Sequence, residues 1–283
     1  MPGKVRTFFE LIKFEHTVFA LPFAYLGLWM ANKSWPSWRV FLGVTLAMVS
    51  ARTAGMTLNR LADRAIDAKN PRTRNRALVT GDFSVAGAWI ATGISIAVFF
   101  LSASWLNPLC FKLSPIALIL LSGYHYVKRF SFLCHFALGA VLSLAPVGGW
   151  LAATGYFSWA PLPLFLAVTA WVAGFDILYS LQDMDFDKSM GLHSVPAHFG
   201  LTPALKISFY CHVAAVVFLA LFGFTAALGV LYAFGVLVTA ALLAFEHHLV
   251  REGDLSRLNT AFFTINGWIG ILLFVFAFMD VYR

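Results

Sequence analysis

Nine stretches of this chain, each about 20 mostly apolar residues long, match the length a helix needs to cross a hydrocarbon core about 30 Å thick. They lie near 11–31, 38–58, 85–105, 108–127, 131–153, 159–182, 204–222, 225–245 and 259–280. The tract from Ile207 to Phe245 would run about 58 Å as one helix, so it is read as two passes broken near Gly223 to Thr225. With 60% hydrophobic residues and 12% charged ones, the chain falls outside the range of soluble globular domains, where about a quarter of residues are charged. A mean hydropathy of +0.79 agrees. These values exclude a soluble enzyme and make lipid the main solvent. The reading is an all-α integral membrane protein of nine transmembrane helices.

Orientation follows from the basic residues, because short cytoplasmic loops retain Lys and Arg. With the N-terminus inside, that side holds Lys4, Arg6, Lys13, the six from Arg60 to Arg76, Lys128, Arg129, Lys188, Lys206, Arg251 and Arg257. The other side holds Lys33, Arg39, Lys112 and Arg283, and Arg52 lies within the second span. Fifteen against four predicts an N-in, C-out topology. The net charge of +7 is thereby a matter of topology, and nucleic acid is not expected as a partner. Glu10, Lys13, Glu15 and His16 interrupt the apolar run that a cleavable signal peptide needs, so the first span should be retained.

The acids are the informative residues. Of 13, six fall in two short windows: Asp63 and Asp67, then Asp176, Asp183, Asp185 and Asp187. Asn59, Asp63 and Asp67 are spaced by four and drift only about 40° per step around a helix. Asp176, Asp183 and Asp187 share a face by the same arithmetic, with Tyr179 near them and Asp185 turned away. Asp63 to Asp183 and Asp67 to Asp187 are both separations of 120 residues. That offset predicts one domain over 1–283 built as a pseudo-repeat, about 11–127 and 131–245, with a ninth helix at 259–280. The two stripes are expected to line one central cavity open toward the cytoplasm.

Like charges on one stripe repel, and ionisable groups at a membrane boundary are costly unless paired or functional. A divalent cation resolves the conflict, and carboxylates with room for other oxygens suit Mg²⁺. Arg60, Arg64, Lys69, Arg72, Arg74, Arg76, Lys128 and Arg129 supply cations able to hold phosphate oxygens. Acids, metal and cations together describe a diphosphate site. Arg52 should face the cavity, since a lipid-facing guanidinium two turns inside a span is expensive. The Cys134-His135 and Cys211-His212 pairs have no third ligand in view, so no metal role is expected of them. A membrane transporter is the alternative from another class. It is disfavoured because the acids sit at helix ends and the repeat is parallel.

These motifs resemble those of the UbiA superfamily of intramembrane prenyltransferases over nearly the whole chain. The first family motif fits Asn59, Asp63 and Asp67, and the second, Asp-x-x-Tyr-x-x-x-Asp-x-x-x-Asp, fits Asp176, Tyr179, Asp183 and Asp187. Arg52, the Arg72 to Arg76 run, Tyr124-x-x-x-Lys128-Arg129 and Gly191-x-x-Ser194 agree with it. The resemblance implies transfer of a prenyl group from polyprenyl diphosphate to an aromatic acid. It assigns Asp63, Asp67, Asp183 and Asp187 to Mg²⁺ and diphosphate, supported by Asn59 as a further metal ligand and by Asp176. Lys128, Arg129, Arg72 and Arg76 are expected on the diphosphate, Arg52 on the acceptor carboxylate, and Tyr179 positioning reactants. The acceptor expected is 4-hydroxybenzoate, in ubiquinone biosynthesis; the first span, Ile12 to Phe23, also resembles a branch that prenylates 1,4-dihydroxy-6-naphthoate for menaquinone. The implied location is the bacterial inner membrane, multi-pass, with the active site toward the cytoplasm.

Overall fold

A computed structural model describes residues 3–13, 15–250, 258 and 264–283. Its described residues are helical and contain no β-strand. The helices are α1 (Lys4–Ile12), α2 (Glu15–Asn32), α3 (Trp38–Ala62), α4 (Arg64–Asp67), α5 (Ala77–Thr80), α6 (Val85–Leu106), α7 (Pro108–Gly123), α8 (Cys134–Leu142), α9 (Leu144–Thr154), α10 (Leu162–Ser180), α11 (Met184–Ser189), α12 (Val195–Phe199), α13 (Leu201–Thr225), α14 (Val230–Leu249) and α15 (Asn266–Val281). Short 3-10 segments follow α7 (Tyr124–Arg129) and α10 (Leu181–Asp183). Helix starts carry the expected chemistry. Ser37, Ser84, Asn107 and Ser194 each accept a backbone N–H of the first turn of α3, α6, α7 and α12.

Among the described residues seven helical segments are long and apolar enough to cross a bilayer, corresponding to the second through eighth expected stretches. The first and ninth fall on α2 and α15, and α15 is the shorter, at 16 residues. Residues 259–263 of the ninth stretch, and Arg251 and Arg257, lie outside the described residues.

Three places differ instructively. The first stretch does not begin at 11: Lys13, at φ 49, separates α1 from α2. The reason is amphipathicity. Leu11 and Ile12 of α1 are buried in a small core with Leu78, Ala88, Phe8 and Phe83, while Arg6, Glu10 and Lys13 remain exposed. The fifth stretch is two helices meeting at Ser143, whose buried hydroxyl bonds Gly139 O at 2.7 Å and Thr169 Oγ1 at 2.8 Å. The break in the long 207–245 tract falls just past the expected place, where Ala227 takes φ 48 and Asp280 accepts the N–H groups of Gly229 and Leu231 at the start of α14.

The chain divides into two compact units, residues 1–18 with 37–126, and residues 19–36 with 127–283. In the first, α3 packs along α6, joined by the buried Thr92 to Thr57 bond at 2.8 Å. Arg39 donates to the Trp105 carbonyl at 3.0 and 2.5 Å, closing the end of α6. In the second, α10 is the central element, against α8, α9 and α13. Close approach there depends on glycine: a Cβ on Gly149 would strike the Ala24 carbonyl of α2, and one on Gly27 the Pro146 carbonyl of α9. Apolar bulk such as Ile94, Leu101, Ile119 and Leu237 is left exposed, as lipid contact requires. Exposed aromatics gather at helix ends remote from the acids: Trp38 and Trp105 in the first unit, Trp35, Tyr156 and Trp159 in the second. Such placement suits a membrane interface.

Candidate active site in two aspartate clusters

The first cluster forms where α3 runs out of apolar residues. Asp63 ends the helix and α4 follows at once, yet Asp63 N–H still bonds Asn59 O at 3.0 Å and Asp67 N–H bonds Asp63 O at 2.8 Å. The four-residue spacing thus survives the break. Asn59 Nδ2 lies 3.5 Å from Asp63 Oδ2. Both acids are covered, Asp63 at 2% and Asp67 at 6% exposure. Carboxylates so buried need a cation or several donors. Asp67 has one: Arg76 Nη1 reaches Oδ1 at 2.7 Å and Oδ2 at 2.6 Å. The loop is fixed by Thr73, which donates to Asp67 O at 3.2 Å, and by Asn70, which accepts the Arg72 N–H at 2.9 Å. Arg72 itself is exposed. Arg60 and Arg64 are spent on carbonyls, those of Leu11 and Leu78.

Arg52 lies two turns back along α3. Its Nε is buried and has no hydrogen-bond partner among the described residues. A guanidinium in that setting is suited to an anionic ligand.

The second cluster follows α10. Asp176 stands on the helix proper, Tyr179 one turn on, Asp183 at the end of the 3-10 segment and Asp187 in α11. Asp183 and Asp187 are half-buried while Asp185 is exposed. Asp187 faces Ser194, with Asp183, Lys128 and His135 as its ionisable neighbours. The loop after α11 is pinned by Leu192 N–H to Asp187 O at 2.8 Å and by His193 N–H to Lys128 O at 2.7 Å. Lys128 is half-buried beside this cluster and Arg129 is exposed. Asp176 Oδ2 lies 2.7 Å from His135 Nδ1. From sequence alone His135 has no expected role; a histidine on one apolar helix and an aspartate on another is the signal for this pair.

Among the described residues no three His, Cys, Asp or Glu side chains stand together as a metal centre. Each cluster instead offers a few hard carboxylate oxygens with cations beside them. That donor set fits Mg²⁺, which keeps water or phosphate oxygens in its shell, and does not fit a closed four-ligand site of the zinc kind.

Seven membrane-length helices among the described residues mark a multi-pass membrane protein. The UbiA prenyltransferase family matches residues 20–269, and the chain belongs to that family. It is 29% identical to the 4-hydroxybenzoate octaprenyltransferase of Vibrio campbellii, over 96% of each chain. With that of Nitrosospira multiformis it shares 31% identity over 90% of this chain and 87% of the other. Among solved structures, the apo UbiA homolog from Aeropyrum pernix matches with a TM-score of 0.87 and 35% identity over 94% of this chain and 98% of that one. A UbiA homolog from Archaeoglobus fulgidus bound to GPP and Mg²⁺ shares the fold, with a TM-score of 0.70 at 21% identity over 98% of this chain and all of that one.

Proposed function

We propose that this chain transfers a polyprenyl group from polyprenyl diphosphate to 4-hydroxybenzoate in a Mg²⁺-dependent step of ubiquinone biosynthesis. The observation that carries the reading is the pair of aspartate clusters with cations at hand in a family member, alongside relatives named for that acceptor. Asp63, Asp67, Asp183 and Asp187, with Asn59, hold the metal and diphosphate, and Asp176 and Tyr179 complete the second cluster. Bound Mg²⁺ supplies positive charge to the departing diphosphate. Arg72, Arg76, Lys128 and Arg129 hold its remaining oxygens, and such fixed charges act strongly in a water-poor setting. The allylic C–O bond breaks with its electron pair going to diphosphate, the ring forms the new C–C bond, and the ring proton passes to the released diphosphate or to solvent. Excluding water keeps the allylic cation from being captured. Arg52 pairs with the acceptor carboxylate.

The same reading takes residues 1–283 as one domain of nine spans, pseudo-repeated, with a cavity open to the cytoplasm. It places the protein in the bacterial inner membrane, N-in and C-out, and the basic asymmetry and exposed aromatics support this. The test is incubation of purified protein with Mg²⁺, a polyprenyl diphosphate and either 4-hydroxybenzoate or 1,4-dihydroxy-6-naphthoate, with products read by mass spectrometry. Prenylated 4-hydroxybenzoate supports the assignment. Product from the naphthoate alone moves the protein to the menaquinone route, and product from neither sinks the reading.

A further inference from the structure

His135 sits in the first turn of α8, in an apolar helix, at 2% exposure. A ring so placed must find partners for both nitrogens. Its Nε2 is 3.1 Å from the Val195 backbone N, and its Nδ1 is 2.7 Å from Asp176 Oδ2. A backbone N–H can only donate, so Nε2 carries a lone pair and the ring proton lies on Nδ1. Nδ1–H therefore donates to Asp176. The neighbouring residues reinforce this frame. Cys134 Sγ donates to His193 O at 3.3 Å, His193 N–H to Lys128 O at 2.7 Å, and Leu192 N–H to Asp187 O at 2.8 Å.

We propose that His135 is a positioning residue for the second aspartate cluster, fixing Asp176 through Nδ1–H and the loop after Asp187 through Nε2. The inference rests on the prenyl-transfer reading and adds to it a residue outside both aspartate motifs. The bond to Oδ2 selects one orientation of the Asp176 carboxylate and leaves Oδ1 for the reaction. The bond from Val195 holds the loop whose other end is tied to Asp187 and Lys128. One ring thus sets the geometry of an acid on α10 against an acid on α11. Groups that orient the residues of a metal site by hydrogen bonding typically cost about 10–100-fold in activity when removed, and a comparable loss is expected here.

Three variants separate the two bonds. His135→Asn keeps an amide donor near the Nδ1 position, His135→Gln keeps an acceptor near Nε2, and His135→Leu keeps neither. The expected result for His135→Asn, which keeps the Asp176 bond but gives up the one from Val195, is a fall in kcat of about 3–10-fold, smaller than for the other two. For His135→Gln and His135→Leu a fall of about 10–100-fold is expected, with KM for prenyl diphosphate nearly unchanged. Combining His135→Gln with Asp176→Ala should be no worse than Asp176→Ala alone, since both remove the same bond. Nitrogen-15 NMR of labelled histidine in the intact protein should show the Nδ1–H tautomer at His135. Additive losses in the double variant, equal losses in Asn and Leu, or an Nε2–H tautomer overturn the proposal. An inactive wild-type chain overturns the functional reading and this proposal with it. An active wild type with an unaffected His135→Leu overturns the proposal alone.

Discussion

Arg76 sets a single guanidinium nitrogen against both carboxylate oxygens of Asp67, at 2.7 and 2.6 Å. Two residues assigned to opposite halves of a diphosphate site are thus each other's partner here. Asp67 is also a proposed Mg²⁺ ligand, so a metal bound there would compete with Arg76 for the same two oxygens. Removing Arg76 strands a carboxylate of 6% exposure, which a bound metal can compensate. Arg76→Ala should therefore melt at a lower temperature than wild type, and Mg²⁺ should raise its midpoint more than it raises that of wild type. Equal shifts would show that Asp67 does not receive the metal.

Arg52 gives a substrate-specific test. Its buried Nε is without a hydrogen-bond partner among the described residues, so the acceptor carboxylate is its proposed partner. Arg52→Gln should raise KM for 4-hydroxybenzoate by about 10–100-fold, the size of a lost charge-assisted bond, and leave KM for the diphosphate unchanged. Steady-state kinetics with each substrate varied decides it. A change in the diphosphate KM alone would place Arg52 on the other substrate.

Adjacent glycines in α9 form a matched pair for stability. A Cβ at Gly149 meets the Ala24 carbonyl, whereas one at Gly148 meets nothing within 4 Å. Gly149→Ala should lose about 1–3 kcal/mol through overpacking. Gly148→Ala should gain up to about 1 kcal/mol from helix propensity. Thermal melts in detergent measure both; similar values would mean that α2 does not press on α9 there.

Glu246 of α14 is 1% exposed and accepts from Asn266 Nδ2 at 2.9 Å, while Asn266 Oδ1 accepts from Trp171 Nε1 at 2.8 Å. This polar chain joins α10, α14 and α15 inside an apolar bundle. Glu246→Gln preserves an acceptor for Asn266 and should leave stability within about 0.5 kcal/mol, whereas Glu246→Ala should lose about 1–3 kcal/mol. Melting of the two variants checks the ordering.

Hydropathy alone placed the apolar segments, because length and composition are what a bilayer selects. It misplaced the start of the first one, since Leu11 and Ile12 are apolar for a local reason: they cover Leu78 and Ala88 rather than face lipid. Helical spacing made both aspartate clusters legible, and the i to i+4 bonds from Asn59 to Asp63 to Asp67 are its structural form. Partners were not legible. Arg76 is nine residues from Asp67 and His135 is 41 from Asp176, and no periodicity links residues across a turn or between helices. Glu246 is not legible either, because in sequence a lone acid near a helix end looks like a solvated one, whereas it is buried.

The central claim is that the two aspartate clusters carry Mg²⁺-dependent prenyl transfer. Its most direct measurement is formation of prenylated 4-hydroxybenzoate by the purified protein in lipid nanodiscs, compared among wild type, Asp67→Asn and Asp183→Asn at saturating Mg²⁺. The account predicts product from wild type that EDTA abolishes and fresh Mg²⁺ restores, with each variant slower by about 10²–10³-fold while melting as a folded protein. Wild-type rates in both variants, or turnover that persists in EDTA, would contradict it.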